Sequence, residues 1–155
     1  MAIPDFVLAL REKIGHEPLW LSGATAVVLR GNDVLLVRRS DTGAWTPVTG
    51  IIDPGEQPAA AAVRETLEEA DVVVTADSLA WVQVIDTITY ANGDQAQYID
   101  FVFGCSYVSG EPFPADGENT EAGWFPLDDL PEIGENMLAR IRSVVDFTGT
   151  TRFEL

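Results

Sequence analysis

The chain has 155 residues and a formal net charge of −16, with 25 Asp and Glu against nine Lys and Arg, a balance that opposes binding to duplex nucleic acid. Cys105 is the only cysteine and excludes an internal disulfide, and no apolar run approaches the ~20 residues that cross a bilayer. With no basic-then-apolar leader pattern at the N-terminus, these features point to a cytoplasmic protein of one domain spanning 1–155, with no membrane partner.

Ile3 to Ile14 reads as an amphipathic helix, with Phe6, Leu10 and Ile14 four apart on one stripe. It makes residues 1–20 a helical extension that packs against the domain or against a second copy of the chain in a homodimer. His16 stands outside any cluster and receives no role. The runs Ala24–Leu29 and Val34–Arg38 flank Gly31-Asn32-Asp33 and read as a hairpin. Arg38 and Arg39 close its second strand. In so acidic a chain they either grip a diphosphate through forked hydrogen bonds or close ion pairs with nearby acids. Trp45 follows in the next loop, where an aromatic ring either stacks a base or fills the core.

Gly50 to Val72 is the stretch around which the chain is organised. Asp53-Pro54-Gly55 is a turn, and Pro58 suits the first position of a helix running to Ala70. At 3.6 residues per turn, Ala60, Val63, Leu67 and Ala70 share an apolar sector that is expected to be buried. Glu65, Glu68 and Glu69 gather elsewhere on the wheel, with Arg64 as the only local cation. Each like-charge pair weakens the helix by about 0.2 to 0.5 kcal/mol, and acids near the C-terminus oppose the helix dipole. A hard divalent cation, Mg²⁺ or Mn²⁺, resolves that conflict because it takes oxygen ligands. A solvated acidic face is the other reading, although such faces usually interleave both signs.

Gly50, Glu56 and Arg64-Glu65-Thr66-Leu67-Glu68-Glu69, separated by five and seven residues, resemble the Nudix box of the Nudix hydrolases, and Trp45 and Pro47 fit its lead-in. Asp71 replaces the usual glycine at the helix exit, Thr66 an aliphatic residue, and Thr49 a glycine before the box. Asp enters left-handed backbone more readily than most residues, so the exit can keep its cap. The resemblance implies a metal site made by the Gly50 carbonyl, Glu56, Glu65, Glu68 and Glu69, with Arg64 orienting a box glutamate.

Beyond the box, Val72–Thr75 reads as a short strand, and Leu79–Tyr90 and Gln95–Val108 as longer ones around Ala91-Asn92-Gly93-Asp94. Ile99, Phe101, Phe103, Cys105 and Tyr107 alternate toward a core. Ser109–Gly123 is a loop carrying Asp116, Glu118 and Glu121 ahead of Trp124-Phe125-Pro126-Leu127, which resembles a late Nudix strand. Glu118 and Glu121 are the family-implied candidates for an extra ligand or general base. Glu135–Val145 reads as a helix burying Leu138, Ile141 and Val145, with Arg140 and Arg142 outward. The tail Thr148–Leu155 has no readable role.

The resemblance implies the Nudix fold, an α/β/α sandwich with a mixed sheet, and hydrolysis of the diphosphate linkage of a small nucleoside diphosphate derivative. Glu65 or a loop glutamate then deprotonates water, and Arg39 and Trp45 are the expected substrate contacts. A non-catalytic nucleotide-binding Nudix module is one alternative. An isoprenyl diphosphate isomerase is another, for which Cys105, on a core-facing position, is a poor proton donor.

Overall fold

The computed structural model describes residues 3–155. Its elements in order are α1 (Asp5–Ile14), β1 (Leu19–Arg30), β2 (Asp33–Arg39), β3 (Trp45–Thr46), β4 (Val48–Ile51), α2 (Pro58–Ala70), β5 (Val73–Val84), β6 (Ile88–Thr89), β7 (Gln95–Ser109), β8 (Asn119–Pro126), α3 (Glu135–Val145) and β9 (Arg152–Phe153). The strands form one mixed sheet of order β3-β2-β1-β7-β5-β9, with β4 on β1, β6 on β7 and β8 on β2. β1 runs parallel to β7 from Leu19↔Ala96 to Leu29↔Ser106, and antiparallel to β4 from Gly23↔Ile51 to Ala26↔Val48.

Period-two alternation divides β1 between two covered faces. Ala24, Ala26 and Val28 join Ala61, Ala62 and Ala70 of α2 in one cluster, and Val27 joins Ile141 of α3 in another. Phe103 and Cys105 of β7 belong to the α2 side, and Val102 to the α3 side. The result is the expected α/β/α sandwich. Ala61 and Ala62 are fully covered, and their short side chains let α2 lie close to the sheet.

Several elements differ from the pattern read in the sequence. α1 buries Val7 at 5% exposure with Phe6 packed nearby, while Leu10 and Ile14 remain exposed, so its stripe is turned by about one residue. β5 is continuous from Val73 to Val84, and bulges opposite β7 absorb Asp77 and Ala80, which hid the strand from a strict period-two reading. The tail contributes β9, paired with β5 at Trp81↔Arg152, where the Arg152 guanidinium lies 4.0 Å from the Trp81 ring centroid. In α3, Arg140 points inward at 5% exposure and Val145 outward at 45%. That reversal follows from a buried acid, Asp100, on the strand beneath.

Candidate active site

α2 begins on Pro58 and ends at Asp71, whose φ of 54° and ψ of 31° place it in left-handed backbone, with its N–H on Leu67 O at 3.0 Å. The departure from glycine therefore keeps the cap geometry. The apolar sector of the wheel is covered only in part, with Ala70 buried and Val63 packed on the core. Leu67 is 48% exposed and Ala60 is also exposed, whereas Ala61, Ala62, Glu65, Thr66, Glu69 and Ala70 are buried. Glu65 and Glu69 are thus four apart on the inner face, each at 2% exposure, while the Glu68 side chain is half exposed. Thr66 is accommodated because its hydroxyl donates to Ala62 O at 2.7 Å.

Arg64 organises the first half of the site. Its Nε and Nη2 donate to Oε1 and Oε2 of Glu56, both at 2.8 Å, and its Nη1 donates to Glu65 Oε1 at 2.8 Å and Glu68 Oε2 at 3.1 Å. Glu56 Oε2 also accepts from Asp53 N at 3.1 Å, which ties the turn before the helix to this fork. The guanidinium holds the Glu56 carboxyl below its usual range. Glu56 is therefore engaged as the anchor of Arg64. A Cβ on Gly50 would collide with the Glu65 side chain, so only glycine lets β4 pass that close. Glu65 Oε2 is buried with no hydrogen-bond partner among the described residues. Burial raises the Glu65 carboxyl to about 7 against the opposing pull of Arg64, and burial likewise raises Glu69.

The second half comes from the loop before β8. The last carbonyls of α2 lack helical partners. Phe113 N donates to Ala70 O at 3.0 Å and Ala115 N to Glu69 O at 3.3 Å, so the loop docks on the helix end. Gly117, at φ 81°, then reverses the chain, and Glu118 N donates to Asp116 Oδ1 at 3.0 Å. Ser40 fixes the same turn by donating from N and Oγ to Glu118 O at 2.9 and 2.6 Å. The carboxylate oxygens of Glu69, Asp116 and Glu118 consequently lie within 4.8 Å of one another, and Asn119 Nδ2 donates to Glu69 Oε2 at 3.2 Å. Asp116 is a member that sequence reasoning missed. Its signal was the Asp-Gly-Glu triplet, since a glycine reversal aims both acids at one place.

Other expected residues stand elsewhere. Glu121 is exposed on β8 and pairs with Arg38 at 2.8 Å, away from the cluster. Trp45 packs edge-on to Phe125 at 4.7 Å, within the cluster beneath α3, so its ring is engaged in the core. Arg39 forks onto Asp41 at 2.9 and 2.8 Å. It lines a cleft of about 840 Å³ that also contains Gly50, Glu118, Tyr90, Asp100 and Arg140.

Buried acids on a helix end, an arginine fork and loop carboxylates beside a cleft define a site suited to a hard divalent cation. The family model of the NUDIX domain matches residues 20–144, and the chain belongs to that family, whose members are pyrophosphohydrolases that generally use a divalent metal. The NAD-capped RNA hydrolase NudC of Pseudomonas aeruginosa is 33% identical over 109 residues, 69% of this chain and 36% of NudC, so the match spans little more than a third of that relative. A MutT-like protein of Streptomyces ambofaciens is 28% identical over 130 residues, covering 83% of this chain and 79% of its own. Among solved structures, a UDP-X diphosphatase superposes with a TM-score of 0.68 at 19% identity, covering 96% of this chain and 73% of that one, a likeness of fold. Among the described residues no helix is long and apolar enough to cross a membrane.

Proposed function

We propose that this chain is a single Nudix domain over 1–155, with residues 1–20 as an extension, and that it hydrolyses the phosphoanhydride of a small nucleoside diphosphate derivative with Mg²⁺ or Mn²⁺. One observation carries the reading. The carboxylates of Glu65 and Glu69 are buried on one helix face, and a docked loop brings Asp116 and Glu118 to Glu69. Three carboxylates gathered so closely offer a cation several oxygens at one point. The donor set, all carboxylate oxygen, fits a hard divalent ion. Glu69, Asp116 and Glu118 are the residues that would hold it, with Glu65, Glu68 and the Gly50 carbonyl bordering the same helix end. When bound, the ion neutralises charge on the phosphate oxygens and acidifies a water.

The chain's own groups supply the rest. Arg64 holds Oε1 of Glu65, which leaves Oε2 as the atom to accept a proton. A carboxyl near pH 7 is well matched to general-base work, and burial puts Glu65 there. Glu118 is the second candidate base. Arg39, now forked onto Asp41 in the cleft, has the planar geometry to transfer that fork to a diphosphate.

The test is a turnover panel with Mg²⁺ or Mn²⁺: nucleotide sugars, ADP-ribose, dinucleoside polyphosphates and nucleoside triphosphates. Release of two phosphorylated products from at least one supports the hydrolase. Binding without turnover would identify a nucleotide-binding module, and rearrangement of an isoprenyl diphosphate an isomerase; Cys105, buried with its thiol pushed up to about 12, is unsuited to the latter.

A further inference from the structure

The cleft has a second polar region that the chemistry above does not use. At its floor Asp100 and Arg140, 3% and 5% exposed, meet with Arg140 Nη1 at 3.4 Å from Asp100 Oδ2. Thr25 Oγ1 donates to Asp100 Oδ1 and accepts from Arg140 Nη1, both at 2.8 Å. Gln83 Nε2 donates to Asp100 Oδ2 at 3.1 Å, and Arg140 Nε donates to Asn136 Oδ1 at 2.9 Å. Two atoms keep spare capacity. Arg140 Nη2 has no hydrogen-bond partner among the described residues, and Asp100 Oδ1 accepts one bond where a carboxylate oxygen can take two.

Gly23 opens the approach to that oxygen. A Cβ there would stand 4.0 Å from Asp100 Oδ1 and 3.5 Å from both Gly50 O and the Tyr98 ring, all ordinary contacts, so its absence leaves a slot one methyl wide. Apolar side chains of similar volume would fasten α3 to the sheet as well as this ion pair does. A charged pair bordering a cleft instead offers the few placed polar groups that orient a ligand.

We infer that Arg140 and Asp100 recognise the organic end of the substrate, Arg140 Nη2 donating and Asp100 Oδ1 accepting, on a group that carries an acceptor beside a donor. The edge of a nucleobase and the diol of a ribose both have that chemistry. The inference rests on the proposed function, because the anchored diphosphate is what brings such a group into the cleft.

The test is calorimetry of the full chain with Mg²⁺ and hydrolysis-resistant α,β-methylene analogues of ADP, GDP, CDP and UDP, together with the base-free ribose 5-(α,β-methylene)diphosphate. Gly23→Ala, whose new methyl meets only ordinary contacts, is expected to keep the wild-type melting temperature and to weaken nucleotide binding about tenfold by blocking Asp100. Asp100→Asn, which can donate where Asp accepts, is expected to change the ranking of the four bases by about tenfold, and Arg140→Lys to weaken them without unfolding the chain. If the base is the group read, the base-free analogue binds all variants equally; if the ribose is, it weakens in step with the nucleotides. Wild-type affinities for all five analogues in Gly23→Ala and Asp100→Asn overturn the inference, as does a wild-type chain that binds none of them. A chain that discriminates the analogues but hydrolyses nothing in the turnover panel contradicts only the proposed function. A chain that hydrolyses while its variants bind unchanged contradicts only the inference.

Discussion

α2 and α3 cover opposite faces of the sheet, and each turns charged residues inward where an apolar wheel would place them outward. The difference lies in how the charge is answered. In α3, Arg140 meets Asp100, and Thr25, Gln83 and Asn136 complete a network that is neutral in itself. In α2, Glu65 and Glu69 go inward with one arginine between several acids, and the loop adds Asp116 and Glu118. One set pairs a buried cation with a buried anion; the other gathers several carboxylates whose oxygens suit a divalent ion. Under the proposed function, that asymmetry separates the region inferred to recognise the substrate from the region proposed to hold a cation and react.

The largest expected effect is on turnover. Glu69→Gln removes the carboxylate shared by helix and loop, and kcat at saturating Mg²⁺ should fall about 100-fold or more, measured by product release from whichever panel member the wild type cleaves. Wild-type kcat in this variant would erase the distinction between the two helices.

Stability should move in opposite senses on the two sides. Asp100→Asn leaves Arg140 buried without its charge partner, and breaking such a pair costs about 3 to 5 kcal/mol, read by urea unfolding. Glu65→Gln removes a half-satisfied buried carboxylate, so metal-free stability should hold or rise by about 1 kcal/mol. Equal losses in both variants would show that the two buried charges are alike.

The same contrast has a pH signature. The folded Glu65 carboxyl titrates at about 7, above its ordinary 4.5, so the folded chain binds more protons than the unfolded one between those values. Its contribution is fully present below about 4.5 and is lost as pH rises through about 7. Metal-free stability should therefore decline across that window in the wild type and decline less in Glu65→Gln, by thermal melts at several pH values. Identical slopes would remove Glu65 from the account.

The sequence was most informative where local chemistry acts on neighbours. Pro58 and Asp71 marked both ends of α2, and Gly50, Glu56 and Arg64 lie close to Glu65 and one another, as the resemblance implied. It was least informative where distance in the chain had to be bridged. Nothing local says that the loop after β7 docks on the orphan carbonyls of α2, and so Asp116 was left out of the candidates while Glu121, which faces Arg38, was named beside Glu118. The wheel chose Leu67 as the buried side because it scored apolarity alone; Gly50 beside Glu65 was the clue that the acids faced in. Trp45 was an expected substrate contact through the resemblance, although most aromatics pack in cores, and its ring packs against Phe125 in the cluster beneath α3.

The smallest effect concerns the helix exit. Asp71 occupies left-handed backbone, where glycine carries no Cβ penalty, so Asp71→Gly should raise stability by about 0.5 to 1 kcal/mol with unchanged kcat. A loss of stability there would mean that the Asp71 side chain contributes more than its backbone angle costs.

The most direct measurement is a Mn²⁺ titration of the metal-free chain, followed by electron paramagnetic resonance, for the wild type and Glu69→Gln. Saturable binding in the wild type, weakened at least tenfold in the variant, is the predicted result. A wild type that binds no Mn²⁺, or a variant that binds it equally well, would contradict the claim that these buried acids are assembled around a cation.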